Sequence, residues 1–126
     1  AFPNESPLNI SNAGPMHWGW NPGYIFMNLE GKVDTIPDGV VNTDLSFSFH
    51  IGTDPYLQYL QFNNVNWQDI GNNTKQFKLK LDLLAFLGSG STAIHLNNEY
   101  LTHTAAGQEA LTQKVITNFK NAISPF

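Results

Sequence analysis

Four histidines are the side chains in this sequence best suited to bind a metal or to transfer a proton: His17, His50, His95 and His103. His50 lies on the polar face of an alternating segment, where its ring either faces solvent or points into a site shared with a neighbouring element. His103 comes just before a predicted helix, which suits a metal ligand and a capping or solvent-exposed role equally. Imidazole nitrogen is a common ligand of transition metals. The histidines alone leave a metal site and a hydrogen-bonded surface role open.

Two tryptophans one residue apart form the second candidate feature. Trp18 and Trp20 precede an Asn-Pro-Gly turn at 21–23, and side-chain alternation in an extended segment puts both rings on one face and His17 on the other. Paired rings on a strand belong either to the core or to the lining of a site. Trp67 lies among polar loop residues, so it is the better candidate for an exposed ring, as in a glycan-binding platform.

Composition excludes several kinds of function. The 126 residues carry a net charge of −4, and all six basic residues are Lys, so we do not expect a nucleic-acid partner. The sequence contains no cysteine, which excludes thiolate metal sites, disulfides and thiol catalysis. No apolar stretch approaches membrane-spanning length. No motif selects a hydrolase triad or a metalloprotease site, and we predict a protein that is not an enzyme.

The hydrophobic pattern predicts a mainly β fold. Residues 1–15 are expected to form an irregular arm, and period-two alternation or tight turns predict strands over 16–20, 24–33, 45–51, 57–62, 76–81 and 92–96. In the segment 76–81, the alternation predicts that Phe77, Leu79 and Leu81 point inward. Glu30 and Asp34 are expected to flank a turn and to face solvent.

Two helical segments complete the prediction. Asp82 is expected to cap a short helical turn over 82–87, and Thr104 an amphipathic helix over 105–123. Together these elements predict an antiparallel β-sandwich with one C-terminal α-helix. The length suits a single domain over residues 1–126.

Several motifs resemble those of the MbnP-like family, whose members are exported bacterial proteins associated with copper. In chain order, these motifs are Met16-His17-Trp18-Gly19-Trp20-Asn21-Pro22-Gly23-Tyr24, Leu29-Glu30-Gly31, Phe49-His50-Ile51-Gly52, Asp82-Leu83-Leu84, and His103 with Val115-Ile116-Thr117-Asn118-Phe119. Family members carry a β-rich portion upstream of the Trp motif, whereas fifteen residues precede it here. The chain is therefore expected to be a short member, a processed form, or one part of an assembly with other subunits.

The resemblance implies a periplasmic or extracellular protein that binds copper, as Cu(I), for storage, scavenging or delivery. In copper-binding members, the ligands are histidines and a kynurenine formed from tryptophan, and a di-haem peroxidase-like cytochrome performs that oxidation. Applied to this sequence, it implies His50 as the first ligand and His103 as the second. Trp18 or Trp20 would be the oxidised residue. A structural or interaction module without metal and a glycan-binding module are the alternatives.

Overall fold

The segment with the clearest alternation, around residues 45–51, forms a strand in the computed structural model, which describes residues 2–19 and 23–126. In chain order, the strands are β1 (His17–Gly19), β2 (Gly23–Val33), β3 (Leu45–Gly52), β4 (Gln68–Asp69), β5 (Lys75–Gln76), β6 (Leu79–Leu81), β7 (Leu101–Thr102) and β8 (Ile123–Pro125). The α-helices are α1 (Ile10–Ala13), α2 (Leu83–Leu87) and α3 (Glu109–Ala122).

Contacts divide the chain into two units, and the first comprises Ala1–Leu57 and Leu96–Thr112. Its sheet has the strand order β1-β2-β3-β7; the β1–β2 and β2–β3 pairs are antiparallel, whereas β3 and β7 run parallel. The β2–β3 register places Glu30 opposite Ser48, so the polar side chains of both strands share one face. Phe49 and Ile51 alternate to the other face and are buried.

The second unit comprises Gln58–His95 and Gln113–Phe126. It contains the β4–β5 hairpin, the antiparallel β6–β8 pair, α2 and most of α3. Val115 on α3 is fully buried, and the buried Asn118 donates a hydrogen bond of 2.8 Å from Nδ2 to the carbonyl oxygen of Thr92. This bond satisfies a polar side chain that would otherwise be costly to bury.

The predicted mainly β class is confirmed, since the strands form several sheets and a helix lies near the C-terminus. The parallel β3–β7 pair is an exception to the antiparallel arrangement that we predicted. Asp82 caps α2 as predicted, because its Oδ1 accepts a hydrogen bond of 3.0 Å from the backbone N–H of Ala85. In the described part of the chain, no helix is long and apolar enough to cross a membrane.

Two predicted strands are absent from the described structure. Residues 57–62 are irregular: they follow a 3-10 turn at Asp54–Tyr56, and β3 pairs with β7 rather than with them. Residues 92–96 are also irregular, because the 3-10 turn Gly90–Thr92 precedes them and no strand pairs with them. The sequence pattern therefore predicted two strands for which the described structure shows no strand partner.

Three further expectations were wrong in detail. The segment 76–81 divides into β5 and β6, which pair with different strands, and both Phe77 and Leu79 are exposed instead of pointing inward. The C-terminal helix begins at Glu109, and Thr104 does not cap it, because its φ of 55° is left-handed whereas an N-cap residue is extended. The N-terminal arm is not wholly irregular, since it contains α1, capped by Asn9.

Candidate metal centre

The register of β2 against β3 assembles the first part of a polar cluster. Glu30 lies directly opposite Ser48, and His50 follows two residues later on the same face. His50 Nε2 lies 2.5 Å from Glu30 Oε1 and 3.1 Å from Ser48 Oγ. An exposed carboxylate therefore pairs with a half-buried imidazole, the side chains being 57% and 15% exposed.

His103 joins the cluster because β7 lies parallel to β3. Thr102, paired with Phe49, is fully buried, and its Oγ1 lies 2.6 Å from Thr112 Oγ1, which ties the end of β7 to the first turn of α3. The chain then turns sharply, and Gln108 Oε1 accepts a hydrogen bond of 2.8 Å from the backbone N–H of His103. These contacts fix the backbone that carries the His103 ring.

The two imidazoles converge at one point. The rings of His50 and His103 are stacked, with centroids 4.5 Å apart and an interplanar angle of 5°. Ser48 Oγ lies 3.1 Å from His50 Nε2 and 3.3 Å from His103 Nε2. The two ring nitrogens best placed to bind a metal therefore approach the same hydroxyl.

Trp18 completes the cluster on the side of β1. Its ring centroid lies 6.2 Å from that of His50 and 6.3 Å from that of His103, at 46° to each ring. Gly52, at the end of β3, leaves the space that the indole needs, since a Cβ at this position would lie 2.8 Å from Trp18 Cζ3. The absence of a side chain at residue 52 thus allows the indole to lie beside both imidazoles.

The electrostatics of the cluster favour a neutral His103. Partial desolvation of the ring lowers the pKa of His103 below 6.5, and the neighbouring His50 lowers it further, while Glu30 acts in the opposite direction. Two adjacent imidazoles resist carrying positive charge together. Because a metal binds the neutral ring, a lowered pKa keeps His103 ready to act as a ligand at neutral pH.

The geometry limits the chemistry of this cluster. Ser48 and Glu30 both contact the same nitrogen of His50, so the ring cannot relay a proton between them as in a Ser-His-acid triad. Within residues 2–19 and 23–126, no group of three or more His, Cys, Asp or Glu side chains is arranged to hold a metal ion. The cluster offers two imidazoles with a hydroxyl and a carboxylate nearby, which is a pair of nitrogen donors rather than a complete ligand shell.

Of the candidate residues from the sequence, His50, His103 and Trp18 lie together, and Trp20 lies outside the described residues. His17 packs instead against Tyr24, with ring centroids 4.9 Å apart, and His95 belongs to the second unit.

Sequence reasoning missed Ser48 as a contact of both imidazoles and Glu30 as a partner of His50. The signal that could have found Ser48 was its position two residues before His50, on the same strand face. Glu30 is exposed as predicted. The turn expected beside it is absent, because β2 continues to Val33 and keeps Glu30 in register with Ser48.

The chain is similar to one described protein family. The family model described as MbnP matches residues 3–115 of this chain, which includes every residue of the cluster described above. No curated protein and no solved structure matches the chain significantly.

Proposed function

Because this chain belongs to the MbnP family, we propose that it is an exported protein that binds copper through His50 and His103, for storage, scavenging or delivery rather than catalysis. The single observation that carries the proposal is the stacked pair of imidazoles whose Nε2 atoms both approach Ser48 Oγ. Imidazole is a good copper ligand, and here one lies on β3 and the other directly follows β7, which pairs with β3.

The protonation of the pair supports binding at neutral pH. The lowered pKa of His103 favours the neutral ring that copper requires. Binding through His50 Nε2 requires this nitrogen to give up its hydrogen bond to Glu30. Copper uptake is therefore expected to compete with the contact between His50 and Glu30.

From the family resemblance, we propose that a modified tryptophan supplies a further ligand. A kynurenine made from Trp18 or Trp20 would add an aromatic amine, a nitrogen donor that tryptophan does not have. The position of Trp18 beside both imidazoles supports it as the residue that a di-haem peroxidase-like cytochrome would oxidise. The protein then binds Cu(I), for which nitrogen donors suffice without thiolates.

Copper affinity in histidine variants tests the site. Competition titration with a Cu(I) chelator is expected to show that His50→Ala and His103→Ala each lower the copper affinity by about 100-fold or more. Even the residues that only support a metal ligand contribute about 10- to 100-fold to metal affinity. His95→Ala is the matched control, because His95 is an exposed histidine of the second unit. Unchanged affinity in both His50→Ala and His103→Ala would refute the site.

Mass spectrometry of protein from its own source tests the modification. We expect a bound copper ion in the native protein and an oxidised residue in the peptide that contains Trp18 and Trp20. Protein that is unmodified, metal-free and unable to take up added copper would favour a structural or interaction module instead.

A further inference from the structure

An exposed aromatic pair lies on the β4–β5 hairpin of the second unit. The hairpin register pairs Gln68 with Gln76 and Asp69 with Lys75, so Trp67 and Phe77 occupy the next opposite positions. Their rings meet edge to face, with centroids 4.7 Å apart. Trp67 is nevertheless 55% exposed and Phe77 38% exposed. The contact with Phe77 holds the indole in place while much of it stays accessible to a ligand.

Charged side chains lie on the same face as the two rings. Alternation along the hairpin puts Asp69 beside Trp67 and Lys75 beside Phe77, with both Gln side chains on the opposite face. Asp69 Oδ1 accepts a hydrogen bond of 2.9 Å from the backbone N–H of Gly71, which orients the carboxylate and leaves Oδ2 to accept from a ligand. A held indole is thus next to a fixed acceptor and an ammonium donor.

We propose that this hairpin face, formed by Trp67, Asp69, Lys75 and Phe77, binds a glycan built of pyranose rings with equatorial substituents. Such a ring presents C–H bonds to the face of an indole and hydroxyl groups around its edge, where Asp69 accepts and Lys75 donates hydrogen bonds. A protein partner would favour a core of apolar contacts depleted of charge, whereas charges directly flank the rings here. This face shares no residue with the histidine cluster.

Calorimetric titration with cellohexaose and with chitohexaose tests the proposal on the full chain. We expect at least one of them to bind with a Kd of about 1 mM or tighter, and Trp67→Ala to weaken that binding at least about tenfold. Asp69→Asn keeps the shape but removes the charge and is expected to weaken binding several-fold. Tyr59→Ala is the matched control, because Tyr59 is an aromatic residue of the same unit that is 85% exposed and lies outside the hairpin.

A second measurement on the wild-type protein covers the case in which Trp67→Ala fails to fold. In a heteronuclear NMR titration, the indole N–H resonance of Trp67 is expected to shift with added hexasaccharide while that of Trp18 stays unchanged. The proposal is overturned if neither hexasaccharide binds, if Tyr59→Ala weakens binding as much as Trp67→Ala, or if the shifts avoid the Trp67 indole.

Discussion

Gly52→Ala is expected to destabilise the protein and to displace Trp18 from the imidazole pair. A Cβ at residue 52 would lie 2.8 Å from both Trp18 Cζ3 and the carbonyl oxygen of Tyr24, closer than real contacts allow. Since Ile25 pairs with Gly52, the Tyr24 carbonyl belongs to the strand that pairs here and cannot move without disturbing the sheet. The clash is therefore expected to cost about 1–3 kcal/mol of unfolding free energy, as for other overpacked positions.

Gly31→Ala is the matched control, because it lies on the same strand pair. A Cβ at residue 31 would lie 2.7 Å from Cε1 and Cζ of Phe47, which are the far end of a side chain that can rotate away. We expect urea unfolding to show a smaller loss for Gly31→Ala and no change in the Trp18 indole resonance. Only Gly52→Ala is expected to shift that resonance and to weaken copper binding.

A double-variant cycle separates the two clashes. Trp18→Ala removes the indole but leaves the Tyr24 carbonyl, so part of the cost of Gly52→Ala is expected to disappear in the double variant. The reasoning is wrong if Gly52→Ala is no more destabilising than Gly31→Ala, or if its cost is the same with and without the indole.

Three further predictions concern stability, each measured by urea unfolding. Thr112→Val removes the shorter of the two hydrogen bonds of the buried Thr102 hydroxyl and leaves only the 3.3 Å bond from the backbone N–H of Thr104, so it is expected to cost about 1–3 kcal/mol. Thr112→Ser is expected to retain most of the stability. Asp82→Ala removes the cap on α2 and is expected to cost about 1 kcal/mol of unfolding free energy. Asp82→Asn is the control, because asparagine can also cap a helix. A cost of Asp82→Ala within error of zero would contradict the capping role. The folded chain takes up the His103 proton at lower pH than the unfolded chain, so stability is expected to fall as pH decreases below 6.5. His103→Asn is expected to reduce the difference in stability between about pH 7.5 and about pH 5.5. An unchanged difference would refute the role of His103 in the pH dependence of stability.

Local sequence patterns were sufficient to predict β3 and the cap of α2. The alternation around Phe49 predicted β3 correctly, because one face of this strand is buried and the other is polar. Asp82 could be identified as a cap because capping needs only a side chain and a backbone N–H three residues away. Thr104 failed as a cap because Gln108 accepts hydrogen bonds from the backbone N–H groups of His103 and Ala105, which shapes the turn before the helix.

The candidate site shows the same limit more sharply. His50 and His103 could be named from residue type, but their stacking depends on a parallel pairing of β3 with a two-residue strand that no local pattern predicts. Glu30 was expected in solvent, and it is largely exposed, yet the β2–β3 register gives it His50 as a partner. Residue chemistry therefore identified the donors, while strand register determined which of them meet.

Because β3 pairs with the distant β7, we expect the two candidate ligands to meet late in folding. Residues 58–95, the larger segment of the second unit, lie between the two histidines in sequence, and the hydrogen bond between Ser48 and His103 joins residues 55 positions apart. Closing so long a loop is entropically costly and slow. During synthesis, His50 could therefore not contact His103 until the ribosome has made the 52 residues between them and His103 itself. A metal bound by both rings would stabilise this distant contact and would hold together the two fragments of a chain cut between them.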